Sequence, residues 1–225
     1  MRFLLSVFLG LFLCLCLFSQ ERTKRLNTET TRMVLISTSF GDMMVELYNE
    51  TPQHRDNFVK LVEGRFYDGT LFHRVMPNFM IQGGDPNSKG AAPNIQLGNG
   101  GPGYTIPAEF VDGLFHKKGV LAAARLSDAV NPKKESSGSQ FYLVQGQVYT
   151  EEKLRSFGLR SGEKFTVEQV EKYVTIGGTP HLDGDYTVFG EVVKGLEVIE
   201  LIANQKRDKN NRPLKDVEMS IRLIK

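Results

Sequence analysis

Short apolar-rich runs, some alternating with polar residues at a period of two, recur along this chain and are punctuated by Gly, Pro, Asn and Asp. That is the pattern of pleated strands with one face buried. It predicts strands over 33–37, 43–48, 104–110, 119–125, 140–145, 187–193 and 217–223, the first two joined by the hairpin signal Ser39-Phe40-Gly41-Asp42. Residues 72–85 add two short extended runs around a Pro77-Asn78 turn. Helical spacing is confined to a few stretches. Thr51 and Pro52 supply a cap and a first-turn proline ahead of Phe58, Val59, Leu61 and Val62, and Gly64 closes that segment. Leu196, Val198, Ile199 and Ile202 form one apolar stripe after Gly195, and Thr166 caps a helix over 166–173. Many short strands with few helices point to an antiparallel barrel, although periodicity alone does not separate that from a sandwich.

Composition agrees, since 22 Gly, 15 Phe and 7 Tyr with no Trp suit a β-rich globule with many turns. A length of 225 residues fits one large domain with additions. The net charge of +2 is too small to draw the chain to nucleic acid or to an anionic membrane surface, so a neutral partner is expected. The N-terminus is different in kind. Met1-Arg2, an apolar run from Phe3 to Phe18 and a small residue, Ser19, are the parts of a secretory signal. The run falls short of the about 20 apolar residues that a spanning helix needs. The expectation is a cleaved signal over 1–19, a linker over 20–32 and a domain over 33–225 that is secreted or periplasmic. An uncleaved segment would instead tether the domain to a membrane, facing the periplasm. Cys14 and Cys16 are the only cysteines and both lie in the signal, so the mature domain would carry no thiol.

The chemistry concentrates in Phe72-His73-Arg74-Val75-Met76-Pro77-Asn78-Phe79-Met80-Ile81-Gln82-Gly83-Gly84-Asp85. Alternation sends Met80 and Gln82 to one face. A guanidinium beside an apolar floor suits a neutral ligand whose polar atoms are gripped while its body is desolvated. This segment resembles the signature of the cyclophilin-type peptidyl-prolyl isomerases, FHR-x-x-x-x-FM-x-QGGD. Ser137-Gly138-Ser139-Gln140-Phe141-Tyr142-Leu143 resembles that family's GSQFF strand, and Leu182-Asp183-Gly184-Asp185-Tyr186-Thr187-Val188-Phe189-Gly190 resembles its LDG-x-H-x-VFG segment. Asn57-Phe58 also falls where the family has its Asn-Phe pair.

The resemblance implies a closed eight-stranded antiparallel β-barrel with an α-helix over each end, acting as a monomer. Two segments depart from the compact form: 126–135 lengthens a loop, and 147–178 is an insertion carrying the helix over 166–173. The implied activity is cis/trans isomerisation of X-Pro bonds in unfolded or Pro-containing segments of exported proteins. The alternative is a cyclophilin fold that holds such segments without turning them over. Residue by residue, the resemblance makes Arg74, Gln82 and Phe79 the catalytic set. Met80, Ala124, Gln140, Tyr142, His181, Leu182 and Tyr186 become the substrate-binding set, with Ala124 contacting the peptide through its backbone. His181 stands where many members have the Trp associated with tight cyclosporin binding, so weakened inhibition is expected; Tyr186 stands for a His, and Arg125 replaces an Asn. No bond is broken in such a reaction, so no cofactor or metal is implied, and the histidines show no metal-binding spacing. Gly98-Asn99-Gly100-Gly101-Pro102-Gly103 spells a dinucleotide motif by letter but lacks the following helix, and reads as a loop.

Overall fold

The structure is a computed structural model that describes residues 32–162 and 164–224. The expected signal over 1–19, with its two cysteines, and the expected linker lie outside the described residues, apart from Arg32, which opens the first strand.

The elements run β1 (Arg32–Thr38), β2 (Gly41–Leu47), α1 (Pro52–Glu63), β3 (Thr70–Leu71), β4 (Arg74–Met76), β5 (Met80–Gly83) and β6 (Thr105–Ile106). They continue with β7 (Val120–Ala123), β8 (Ser136–Ser137), β9 (Phe141–Val144), α2 (Glu151–Ser161), α3 (Val167–Thr175), β10 (Val188–Lys194), α4 (Leu196–Ala203) and β11 (Glu218–Ile224). Nine of the strands form one antiparallel sheet in the order β3-β11-β1-β2-β10-β7-β9-β5-β4. No ladder joins β3 to β4, so the expected closed eight-stranded barrel is not strictly closed by hydrogen bonds. The reason lies in connectivity. Only Phe72 and His73 separate the two edge strands, so Leu71 and Arg74 are within about 11 Å of each other. The sheet therefore curls until its edges meet in one bent run of chain. Its first half pairs with β11 and its second with β5. Counted as a single strand, that run restores the number eight, and continuity of the backbone closes the ring.

Strand alternation sorts the side chains into two apolar layers. Ile81, Leu121, Ala123 and Leu143 point into the main core with Val34, Ile36, Val45, Phe58 and Phe141. Their neighbours Met80, Val120, Ala122, Tyr142 and Val144 point the other way into a second cluster with Leu182 and Val188. β5, β7 and β9 are thus buried on both faces, and the outer layer is where the site forms. α1 packs on β10 and β11, and α4 on β2, β4 and β5, as the two expected helices over the barrel.

Thr51 does not cap α1 as its position predicts; its side chain is fully buried and makes no capping bond. Glu109 does so instead, accepting the backbone N–H groups of Gln53 and His54 at 3.1 and 3.0 Å and pairing with His54 Nδ1 at 2.6 Å. A carboxylate there complements the positive end of the helix. Pro107 holds the predicted strand over 104–110 to the two residues of β6, because it has no N–H to donate to a ladder.

The insertion contains two helices where one was expected. Thr150 caps α2, and Thr166 and Gln169 make a reciprocal capping box on α3. Leu154 and Tyr173 pack with Phe115 into a small core of their own. Its root is held by backbone contact, with Gly178 bridging to both Lys117 and Gln147. Gly146 lies against it at φ 65°, and a Cβ there would meet Gly178 Cα at 2.4 Å, so only glycine fits.

Candidate active site

The β4–β5 hairpin places Arg74 directly across the ladder from Gln82. Arg74 donates to Gln82 Oε1 at 3.1 Å and to Met76 Sδ at 3.2 Å, and its guanidinium stands 5.9 Å from the centre of the Phe79 ring. A guanidinium has five N–H donors, and these contacts engage two of them. Burial lowers its pKa from the ordinary arginine value, with Tyr186 opposing, and it remains a cation at neutral pH.

Gln82 is held from its other side. Its Nε2 donates to Gln140 Oε1 at 3.0 Å, and Gln140 Nε2 donates to the carbonyls of Gly98 and Gly100 at 2.9 and 2.7 Å. The ends of this chain fix both amides, since arginine only donates and a carbonyl only accepts. The glycine-rich run 98–103 is accordingly a loop wall, not a phosphate cradle. Asp85 holds it by accepting Gly98 N–H at 2.5 Å. At Gly84, φ is 86° and a Cβ would meet Ser139 O at 2.3 Å, so the QGGD turn needs glycine to bring β5 against the GSQ strand.

A cavity of about 150 Å³ opens beside Arg74, lined by Phe79, Met80, Gln82, Ala124, Tyr142, Leu182 and Tyr186 with Arg125. That volume is enough for one small ring. A second cavity of about 790 Å³ continues from Gln82 and Ala124 past Gly100, Tyr104 and Glu135. A pocket for one ring beside a longer groove suits an extended peptide.

Eight of the ten residues expected at the site line the smaller cavity: Arg74, Phe79, Met80, Gln82, Ala124, Tyr142, Leu182 and Tyr186. Gln140 is one step removed, lining the larger cavity and bracing Gln82. His181 is exposed and stacks on Phe79 at 5.5 Å between ring centres. Desolvation and then the nearby His116 lower its pKa, so it presents a neutral ring. The backbone of Ala124 is already engaged, its N–H donating to Gln140 O at 3.0 Å and its carbonyl accepting from Ser137 N at 2.8 Å. A peptide can reach only the second lone pair of that carbonyl.

Sequence reasoning missed two groups here. Arg125 lies flat over Tyr186, 4.4 Å from the ring centre, and donates to Asp185 O at 2.7 Å, so the ring is fixed from outside. His116 and Asp183 stand behind Tyr142, whose hydroxyl meets His116 Nε2 at 2.9 Å. The signal was available, because a tyrosine buried where the GSQFF strand has phenylalanine brings a hydroxyl that needs a partner.

A curled antiparallel sheet thus carries a braced arginine beside a ring-sized pocket of mixed polarity. The chain belongs to the cyclophilin family: the model for the cyclophilin type peptidyl-prolyl cis-trans isomerase/CLD family matches residues 33–222. A Staphylococcus aureus protein named as a peptidyl-prolyl cis-trans isomerase is 36% identical over 185 residues, 82% of this chain and 87% of that protein. A Streptococcus pyogenes protein named as a bifunctional phosphatase/peptidyl-prolyl cis-trans isomerase is 34% identical over 197 residues, and the match spans only 38% of it. A crystal structure of a Cryptosporidium parvum cyclophilin type isomerase superposes with a TM-score of 0.64 at 24% identity over 87% of this chain and 99% of that one. A second crystal structure of that protein, in the presence of the dipeptide Ala-Pro, gives 0.62 at 25% identity, over 86% of this chain and 99% of that one.

Proposed function

We propose that this chain accelerates rotation about X-Pro peptide bonds, with Arg74 donating to the prolyl nitrogen. The observation that carries the reading is the braced guanidinium, with N–H groups to spare, at the wall of a pocket sized for one ring. The uncatalysed rotation is slow because the amide barrier is about 18–20 kcal/mol. At the top of that barrier resonance is lost and the nitrogen gains a lone pair. Arg74 can bond that lone pair only in the twisted state, which is differential binding of the transition state. Gln82 holds the fork in place, and Phe79, Met80, Tyr142 and Leu182 seat the ring. Acceleration of about 10⁴-fold corresponds to about 5 kcal/mol, which one charge-assisted bond with positioning can supply. No step needs a cofactor or metal.

The substrates fit unfolded or Pro-containing segments, since the groove is open and its recognition rests on one ring and the peptide backbone. The apolar run from Phe3 to Phe18 supports reading those segments as parts of exported proteins. N-terminal mass analysis of the protein from its own cell envelope tests that placement, and an intact Met1 in a cytosolic fraction overturns it.

The direct test of catalysis is a protease-coupled isomerisation assay on an Ala-Pro peptide, run with binding of the same peptide measured in parallel. Wild type should accelerate the slow phase, and Arg74→Ala should lose that acceleration with its melting temperature preserved. Binding without acceleration in the wild type would make the protein a holding module.

A further inference from the structure

Three buried side chains and one partly buried carboxylate connect the insertion to the proline pocket. Tyr173 on α3 donates to Asp183 Oδ2 at 2.6 Å, and Gln169, one turn earlier, donates to the same oxygen at 3.4 Å. Asp183 Oδ1 accepts the backbone N–H of His116 at 2.8 Å and faces its Nδ1 at 2.9 Å. His116 Nε2 faces the Tyr142 hydroxyl at 2.9 Å. Tyr173, His116 and Tyr142 are exposed by 0, 1 and 4%, so solvent offers none of them a substitute partner.

A carboxylate only accepts, so Tyr173 and His116 Nδ1 are the donors to Asp183. The Tyr142 hydroxyl is held against His116 Nε2 at 2.9 Å, which fixes the direction of the ring. Burial pushes the phenol well above its ordinary pKa, which keeps it protonated. The same carboxylate stands at the end of the 3₁₀ turn Pro180–Leu182, whose last residue lines the pocket.

We propose that Tyr173 of the insertion is a positioning residue for the proline pocket, setting the orientation of Tyr142 through Asp183 and His116. The inference rests on the peptide site proposed above. The insertion is then part of the enzyme's substrate recognition, and a cyclophilin barrel without it lacks this brace. α3 suits the task because its capping box fixes its N-terminus and its root is clamped to the His116 backbone by the Thr179 N–H at 2.8 Å.

The test is a double-mutant cycle on the full chain, with two readouts. Tyr173→Phe removes one hydroxyl and keeps the ring packed on Phe115. It should lower kcat/KM for an Ala-Pro peptide about fivefold, mostly through KM, which is the size of one lost hydrogen bond. In a Tyr142→Phe background the same change should have no effect, because the last member of the chain is gone. Equal losses in both backgrounds would show a merely structural role, and no loss in either would overturn the proposal. The second readout needs no ligand: the ring ¹⁵N resonances of His116 should shift in Tyr173→Phe while the melting temperature changes little. Unmoved resonances would overturn the connection even in a protein that turns over no peptide, so its failure is separable from failure of the catalytic reading.

Discussion

The two walls of the proposed proline pocket are built in opposite ways. The Arg74 wall is local: a guanidinium, its brace and its apolar floor all lie within residues 74–82, and a single rung of the β4–β5 ladder sets Arg74 against Gln82. The Tyr142 wall is assembled from His116, Tyr142, Tyr173 and Asp183, which belong to four separate stretches of chain. The first wall carries the charge that a twisted amide needs, and a hairpin supplies it with little freedom. The second carries shape, and its outermost member sits on an inserted helix. Chemistry is thereby insulated from changes in the insertion, while the fit of the substrate is exposed to them.

The sharpest way to break this division is on the Arg74 wall. Arg74→Ala should lower kcat/KM by about 10³-fold, at the upper end for loss of one preorganised donor, with the melting temperature nearly unchanged. Next comes pH. His73 adjoins Arg74, is 4% exposed, and neither ring nitrogen has a partner among the described residues. Burial, opposed by Asp85, lowers its pKa from 6.5 to about 4. The unfolded chain takes up a proton below about 6.5 and the folded chain only near 4, so this contribution is intact above 6.5 and lost as pH falls towards 4. The loss should amount to about 3 kcal/mol when followed by urea titrations, and His73→Leu should flatten that slope without lowering stability at pH 7.

On the other wall, Gly146→Ala forces a Cβ into Gly178 at a positive φ. It should destabilise by about 2 kcal/mol, lowering the melting temperature by about 4–8 °C. Activity per folded molecule should fall through KM with kcat retained; an equal fall in kcat would erase the distinction between the walls. The smallest effect is at the rim. His181 stacks on Phe79 where a Trp would offer more area, so His181→Trp should tighten cyclosporin binding about tenfold by calorimetry.

The same contrast explains what was legible in the sequence. Strands and helices with clean periodicity, such as β1, β2, α1 and α4, fall within a residue or two of their predicted positions. β3 and β8 are two residues each and exist only through distant partners, β11 and β6, so no local pattern announces them. α2 went unread because Leu154 is its one fully buried apolar residue, while Leu159 is 82% exposed and Gly158 interrupts it. The Arg74 wall was readable because its residues fall within one motif that resembles the family signature, where alternation also puts Met80 and Gln82 on one face. The Tyr142 wall needed tertiary structure, since nothing near His116 marks Asp183 as its partner. The capping of α1 by Glu109, far away in sequence, escaped for the same reason.

The ladder between β1 and β11 pairs Met33 with Ile224 and Val34 with Leu223. A chain emerging from the ribosome offers β1 long before its partner β11. Until then one edge of β1 stays open, with Val34 and Ile36 on the face destined for the core. Such long-range pairing places the domain among slow folders of high contact order, whose waiting intermediates are prone to aggregate. During its own synthesis the protein is itself the kind of nascent polypeptide that folding helpers attend.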